Sequence, residues 1–354
     1  MNEQTRANLI RHFEEYPNLQ AQDVFKYLFQ SAFGCEHLVS NEQAALHYIQ
    51  SEFAAMGERA ECRIDPLDSA YSRVHLGMLR EGLRPETLTR LFCLSAQKED
   101  GKERLARSLE IAQELVASGE LPLDPVEFAR ALKEWQALGC PAIHHSEAFR
   151  ASYFPAYRVI ANRYADFLPV FIEIDKRLAR GSMTLVMEGG SASGKSTLAD
   201  ALKAVYSCTV LHADDYFLRP EQRTAERLAE VGGNFDRERF ADEIVRPLRD
   251  GQPITYCRFD CMTQTLGEPI TAPKTDLTVV EGVYSLHPTF EKYYDFAIFL
   301  DITPAHQEQR ITKRNSPWLA KRFFTEWIPM ENAYFEETGI KERVDIVVKI
   351  KEND

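Results

Sequence analysis

A stretch near the middle of the chain combines the residue types that bind phosphate groups. Residues 185–199 read LVMEGGSASGKSTLA, and they fit the spacing G-x-x-x-x-G-K-[ST]. The glycines of this pattern let the backbone turn sharply and come close to an anion. The loop N–H groups and the start of the following helix then point towards that anion. The stretch therefore predicts a phosphate-binding loop formed by Gly189, Gly190, Ser191, Ala192, Ser193, Gly194, Lys195, Ser196 and Thr197.

Two of these side chains have a further role in the chemistry of a bound nucleotide. Lys195 can reach the β- and γ-phosphates, and the Ser196 hydroxyl can ligate Mg²⁺. A chance match of the pattern is the alternative, but the flanking segments disfavour it. Residues 184–187 form a short apolar run typical of a buried strand, and residues 197–206 have helical apolar spacing. A strand, a glycine loop and a helix in this order are what the motif requires.

Two carboxylates follow apolar runs later in the chain. Asp214 comes just after the run 208–212, and Glu281 ends the run 277–281. The carboxyl ends of parallel strands border the crevice in which α/β proteins bind ligands. Asp214 can therefore face the γ-phosphate and accept a proton from a substrate hydroxyl, with capping of the next segment as the alternative. Glu281 can help Ser196 to hold Mg²⁺.

A basic helix face is predicted near the end of the chain. Residues 306–314 have a helical pattern, and the spacings of three and four place Arg310, Lys313 and Arg314 on one face. Such a face could clamp phosphates when a lid closes over them. The alternative is an ordinary charged helix that faces solvent.

The elements around these residues indicate two architectures in one chain. Strands and helices alternate through the second half, which indicates a parallel sheet with right-handed crossovers. We therefore predict an α/β fold over residues 181–354, a P-loop NTPase-type parallel sheet flanked by helices. Residues 1–180 show helical periodicity and almost no convincing strand, which predicts an all-α, all-helical amino-terminal domain. Gly181 marks the expected boundary, because glycine can end a helix.

Three polar clusters in the first half contain histidine. They are residues 35–37, residues 73–75 and residues 144–158. Their histidines could form a metal or anion site, and the third cluster is the best candidate for a second polar site. We favour the alternative of caps and hydrogen bonds between helices, because no pair has the His-x-x-x-His spacing of metal ligands. The histidines concerned are His37, His75, His144 and His145.

Composition limits the classes of function. The chain has 354 residues and a net charge of −12, and this acidic balance disfavours a nucleic-acid partner. No apolar run is long enough for a transmembrane helix, and the amino terminus lacks the apolar core of a signal peptide. Seven scattered cysteines are typical of reduced thiols in the cytoplasm. We expect a cytoplasmic protein with no membrane and no nucleic-acid partner, and a homo-oligomer is left open.

A series of short motifs follows the P-loop in a fixed order: HADDYF, NFD, YCRFD, VVEGVY, FLD and RITKR. In this order the motifs resemble those of the uridine kinase and phosphoribulokinase-like family of small-molecule kinases, and the resemblance covers residues 183–350. It implies that Asp214, the first aspartate of the family motif D-[DS]-[FY]-[FY], is the catalytic base. It also implies that Glu281 is the acid of the V-E-G motif and that Arg310 and Arg314 are lid arginines.

One segment departs from the family pattern. The family carries a P-x-Y-D segment followed by a histidine that helps to bind the base, whereas residues 256–261 read YCRFDC here and no histidine follows closely. The resemblance therefore implies phosphoryl transfer to a hydroxyl more strongly than it implies uridine as the acceptor. We expect the acceptor pocket to be lined by Asp214, Tyr216, Asp236, Tyr256, Arg258 and Asp260.

The main hypothesis is an ATP-dependent kinase that phosphorylates a hydroxyl of a small molecule, with ATP and Mg²⁺ on the P-loop. The alternative is a nucleotide-binding sensor without kinase turnover. The presence of both Asp214 and Glu281 favours the enzyme, because a sensor needs no base. A GTPase ranks last, because the guanine-binding motif N-K-x-D is absent.

Overall fold

The computed structural model describes residues 2–35, 41–96, 101–260 and 262–351. The chain divides into two compact units, Met1–Lys176 and Arg177–Asp354. Within the described ranges, no helix combines the length and the apolar character needed to cross a membrane.

The amino-terminal unit is built mainly of helices, as predicted. Several of them begin with a recognisable cap, such as the Asp124 side chain that accepts hydrogen bonds from the first turn of a helix that starts at Pro125. The helices are α1 (Asn2–Glu15), α2 (Ala21–Phe33), α3 (Glu42–Met56), α4 (Pro85–Ser95), α5 (Lys102–Ala117), α6 (Pro125–Ala137), α7 (Glu147–Tyr153), α8 (Asn162–Ala165) and α9 (Leu168–Leu178), the last of which runs across the division between the units.

A small antiparallel sheet in this unit corrects the expectation that it contains only helices. Its strands are β1 (Ile64–Pro66), β2 (Tyr71–His75) and β3 (Tyr157–Ala161), with β2 in the centre. All five residues of β2 are buried. A strand that is covered on both faces shows no alternation of polar and apolar residues, so sequence periodicity does not reveal it.

The carboxy-terminal unit confirms the predicted α/β class. Five strands form a fully parallel sheet. The strands are β4 (Met183–Gly189), β5 (Thr209–His212), β10 (Leu277–Glu281), β11 (Phe296–Asp301) and β12 (Ile346–Lys349). They lie side by side in the order β12-β11-β4-β10-β5. The central strands are apolar runs buried on both faces, as parallel sheets between helices require.

Helices and two short hairpins connect these strands. The helices are α10 (Lys195–Tyr206), α11 (Ala225–Ala229), α12 (Arg237–Phe240), α13 (Arg246–Asp250), α14 (Pro304–Arg314), α15 (Pro317–Arg322), α16 (Ile328–Thr338) and α17 (Ile340–Arg343). The segment between α13 and β10 contains two nested antiparallel pairs of short strands. In these pairs β6 (Thr255–Tyr256) joins β9 (Ile270–Thr271), and β7 (Phe259–Asp260) joins β8 (Thr265–Leu266).

Hydrogen bonds hold two of the buried histidines of the amino-terminal unit, His75 and His145. His145 Nδ1 lies 2.9 Å from a carboxylate oxygen of Asp23 on α2, and His145 Nε2 lies 2.6 Å from the Tyr157 hydroxyl. His75 Nε2 lies 2.7 Å from Asp65. The bonds of His145 join the segment before α7 to α2 and β3, which confirms the favoured interpretation for His145. His75 and Asp65 instead lie on the adjacent strands β2 and β1, so this hydrogen bond joins strands and not helices. His144 is exposed.

No group of three or more metal-ligating side chains occurs among the described residues. His37 lies outside them. The first histidine cluster therefore stays a prediction.

Asp23 is a buried carboxylate that accepts several hydrogen bonds. Besides His145, it takes hydrogen bonds from the Ser146 backbone N–H at 2.9 Å and from the Ser146 hydroxyl at 2.6 Å. Burial alone would raise the pKa of Asp23, but the bonds from His145 and Ser146 outweigh burial and lower the pKa below its ordinary value. The folded state therefore prefers the ionised form.

We expect Asp23→Asn to lower the free energy of unfolding by about 2–3 kcal/mol at pH 7, because a buried hydrogen-bonding charge is lost. The folded-state pKa is depressed, so this stabilisation is complete above the unfolded pKa and disappears as the pH falls through the folded value. Denaturant unfolding at pH 7 and below pH 4 measures both effects. Glu110→Gln on the exposed face of α5 is the control and should change little. Equal stability of wild type and Asp23→Asn at pH 7 would contradict this account.

Candidate active site at the phosphate loop

The predicted phosphate-binding loop forms the turn between β4 and α10. Gly189 has φ 149° and Gly194 has φ 102°, in the region of backbone conformation that favours glycine. A Cβ atom at Gly189 would lie 2.5 Å from the carbonyl oxygen of Leu300 on the neighbouring strand β11. The loop therefore needs glycine both for its conformation and for its close packing against the sheet.

Lys195 is the first residue of α10, and its side chain folds back over the loop. The ammonium group donates hydrogen bonds to the carbonyl oxygens of Gly189 at 2.8 Å and Gly190 at 3.1 Å. A cation is thereby fixed beside the amino terminus of a helix of twelve residues. A helix N-terminus with its free N–H groups favours an anion, and the lysine adds a charge that reaches phosphate oxygens.

Ser196 and Glu281 meet beside the loop. The Ser196 hydroxyl donates a hydrogen bond of 3.2 Å to Glu281, and Ser196 is exposed while Glu281 is buried. Strands β4 and β10 are adjacent, which places Glu281 next to the start of the loop. A hydroxyl and a carboxylate are hard oxygen ligands that suit Mg²⁺ when phosphate oxygens and water complete its shell. These two residues therefore fit the predicted metal site.

His212 also belongs to this cluster, although we predicted no role for it from the sequence. It ends β5, directly opposite Glu281 in the sheet register. Its Nδ1 atom lies 2.7 Å from the same carboxylate oxygen that accepts the Ser196 bond. The Glu281 hydrogen bond, which outweighs burial, raises the pKa of His212. The pairing depends on strand order, so the HADDYF motif alone could not reveal it.

Asp214 stands at the carboxyl edge of the sheet, in a short 3-10 turn that follows β5. Its side chain is accessible to solvent, yet surrounding protein crowds the carboxylate. This desolvation raises the pKa of Asp214, Glu281 raises it further, and Lys195 opposes the shift. A carboxylate that is reachable by a ligand and has a raised pKa is suited to general-base chemistry.

The two predicted lid arginines have different partners. Arg310 of α14 donates a hydrogen bond of 3.1 Å to the carbonyl oxygen of Ala192 in the loop. Arg314, one turn later, is exposed, and its guanidinium lies 5.9 Å from the centre of the Phe323 ring. Arg314 is close enough to Asp214 to lower the pKa of that carboxyl, although other groups outweigh its effect.

The residues predicted to line the acceptor pocket fall into a buried group and an exposed group. Tyr216, Asp236 and Tyr256 are buried. The Tyr216 hydroxyl donates to Glu243 at 3.0 Å, and the Asp236 side chain caps α12. Both side chains therefore support the loops around the site. Whether any of the three also touches a substrate stays a prediction.

Arg258 and Asp260 are exposed on the short hairpins. The Nε atom of Arg258 lies 3.5 Å from the Asp215 carboxylate, next to Asp214 in the chain. Asp260 instead accepts a 2.7 Å bond from the Met262 N–H and holds the hairpin turn. The geometry thus joins Arg258, and not Asp260, to the cluster around Asp214.

Glu188 and Glu331 are two further carboxylates at the loop that sequence reasoning missed. Glu188, the residue before Gly189, is completely buried. It accepts hydrogen bonds from the Leu286 N–H at 2.6 Å and the Tyr334 hydroxyl at 2.9 Å. Burial raises the pKa of Glu188 to about 7. An acid inside an apolar strand was a signal for Glu188, whereas nothing in the sequence pattern marks Glu331.

Comparisons with known proteins add a likeness of fold. No protein-family model and no curated protein matches the sequence. Among solved structures, the chain is similar to a possible uridine kinase from Bacillus stearothermophilus, with 24% identity, a TM-score of 0.37, and coverage of 47% of this chain and 88% of that chain. It is also similar to a candidate fructose transport system kinase from Silicibacter sp., with 19% identity, a TM-score of 0.37, and coverage of 47% and 89%.

We expect Glu281→Gln to lower the pKa of His212, because the variant removes the charge that stabilises the protonated imidazole. Titration of the His212 ring signals by NMR measures this shift in the full-length protein. Glu268→Gln, which removes an exposed acid near the hairpins, is the control and should leave the His212 titration unchanged. An unchanged His212 pKa in Glu281→Gln would contradict the pairing of these two side chains.

Proposed function

We propose that this protein transfers the γ-phosphoryl group of ATP to a hydroxyl of a small molecule. The observation that carries the proposal is the position of Asp214, an accessible carboxylate with a raised pKa, within electrostatic reach of the P-loop lysine. A phosphate-binding loop alone would serve a sensor equally well. A carboxylate placed to accept a proton beside that loop is what a kinase adds.

Each residue of the site has a separate role in this reaction. The loop N–H groups and Lys195 bind the phosphates, and the exposed Ser196 hydroxyl with Glu281 would hold Mg²⁺, which offsets charge on the phosphate oxygens. Asp214 accepts the proton of the attacking hydroxyl. The new bond joins the acceptor oxygen to the γ-phosphorus, and the bond to the bridging β–γ oxygen breaks, so that ADP leaves. Arg310 and Arg314 offset the charge that develops during the transfer.

The acceptor side of the site is defined by its charges. Asp214 and Asp215 lie together after β5, and Arg258 reaches towards Asp215 from the hairpins. This arrangement suits a hydroxyl-rich acceptor that can bond both carboxylates and a guanidinium. With the sequence motifs described above, it supports a nucleoside or a related metabolite as the acceptor class.

We expect Asp214→Asn to reduce acceptor-dependent turnover by about 10²- to 10⁴-fold, the usual contribution of a general base. ATP affinity should change little, because the amide keeps the shape of the side chain. The measurement is ADP release in a screen of nucleosides, vitamins and sugars, followed by kinetics of the wild type and of Asp214→Asn with the best acceptor.

Asp215→Asn is the matched comparison and should cause the smaller loss. If Asp215→Asn were inactive while Asp214→Asn turned over, the base would be Asp215. A wild-type protein that binds ATP but transfers phosphate to no acceptor would support the nucleotide-sensor alternative instead.

A further inference from the structure

Helix α16 presents a buried carboxylate to the tip of the phosphate loop. Glu331 is only 6% exposed. One of its oxygens accepts a hydrogen bond of 2.8 Å from the Ser191 backbone N–H, and the other accepts a bond from the Ser191 hydroxyl. Both oxygens therefore act as acceptors, which is the pattern of an ionised carboxylate.

Two side chains of α14 hold the same part of the loop. Gln307 donates a 2.8 Å hydrogen bond to the Ser191 carbonyl oxygen, and Arg310 bonds the carbonyl oxygen of Ala192. The N–H, the hydroxyl and the carbonyl of Ser191 are thus all bonded to residues of α14 and α16. The loop tip cannot change its position independently of these two helices.

The Glu331 carboxylate lies close to the part of the loop that holds Lys195. A Cβ atom at Gly190 would lie 3.7 Å from a carboxylate oxygen of Glu331, and the Gly190 carbonyl oxygen accepts a 3.1 Å hydrogen bond from the Lys195 ammonium. Burial raises the pKa of Glu331, whereas the Ser191 bonds and the charge of Lys195 oppose this shift. The lysine of a P-loop reaches the β- and γ-phosphates. A negative charge beside Lys195 therefore also acts on the terminal phosphate that this lysine would bind.

We propose that Glu331 is a specificity-determining residue that weakens binding of the nucleoside triphosphate relative to the diphosphate. This inference rests on the proposed function, because it requires a nucleotide on the loop. Like charges repel, and the repulsion is stronger where protein excludes water. The third phosphate is present only in the triphosphate, so the diphosphate avoids most of this cost.

The repulsion also favours the transfer step. Negative charge shifts from the γ-phosphoryl oxygens to the bridging β–γ oxygen of the leaving ADP as a loose transition state forms. An interaction that is unfavourable in the bound ground state and weaker in the transition state raises kcat at the expense of KM. Glu331 thus acts on the reaction without touching the acceptor.

The test uses Glu331→Gln in the full-length protein. Titration calorimetry with Mg·AMP-PNP, a triphosphate analogue that resists transfer, and with Mg·ADP measures both affinities. We expect Glu331→Gln to bind AMP-PNP about 3- to 10-fold more tightly, as expected for removal of a partly screened like charge. ADP affinity should stay nearly unchanged. With an acceptor present, KM for ATP and kcat should both fall.

Two controls keep the result decisive. Glu336→Gln removes an exposed acid from the same helix and should leave the ratio of affinities unchanged. Glu331→Asp keeps the charge and should keep the wild-type ratio even if the shorter side chain loosens the loop.

Two outcomes would overturn the proposal, and they differ from each other. If Glu331→Gln weakened both nucleotides equally or changed neither, Glu331 would only position the loop, and the proposed function would stand. If the wild-type protein bound neither nucleotide, the proposed function would fail together with this inference.

Discussion

The backbone at Gly189 is the constraint on which the carboxy-terminal unit depends. At this residue β4 ends against the carbonyl of Leu300 on β11, with no space for a side chain. The chain must then turn within a few residues so that α10 begins at Lys195 with its N–H groups directed at the loop. Because β4 lies in the middle of the sheet, the same strand also places Glu281 and, one strand further, His212 beside that turn. The phosphate loop and the carboxylate cluster are therefore consequences of one strand order.

Many ionisable side chains lie around this turn, and they need hydrogen bonds or opposite charges as partners. Four carboxylates, those of Glu188, Asp214, Glu281 and Glu331, share the region with Lys195 and Arg310. A buried charge is costly unless hydrogen bonds and opposite charges compensate it. Glu281 and Glu331 accept hydrogen bonds from hydroxyl or N–H groups of the loop. These acids therefore hold the loop in place and also add negative charge beside it. A triphosphate with Mg²⁺ would change this balance at Lys195 first, since that ammonium is bonded only to loop carbonyls among the described residues.

The parts of this arrangement that the sequence predicted are those that local pattern determines. The spacing from Gly189 to Ser196 and the apolar runs before Asp214 and Glu281 identified the loop, the parallel strands and the sheet edge. The missed features depend on contacts between distant segments. The pairing of His212 with Glu281 follows from the sheet order, and Glu331 reaches the loop from a helix 140 residues later in the chain. Strand β2 was not predicted for a different reason. A strand that is buried on both faces lacks the alternation of polar and apolar residues by which strands are recognised.

All of these roles depend on the binding of nucleotide phosphates by the loop around Lys195. Calorimetric titration of Mg·ATP into the wild-type protein and into Lys195→Met measures this binding without an acceptor. We expect one site per chain in the wild type. In the variant we expect affinity about 10- to 100-fold lower, the loss of one or two charge-assisted hydrogen bonds, with unchanged thermal unfolding. Equal affinity of the two proteins for Mg·ATP, or no binding to the wild type, would contradict phosphate binding by this loop.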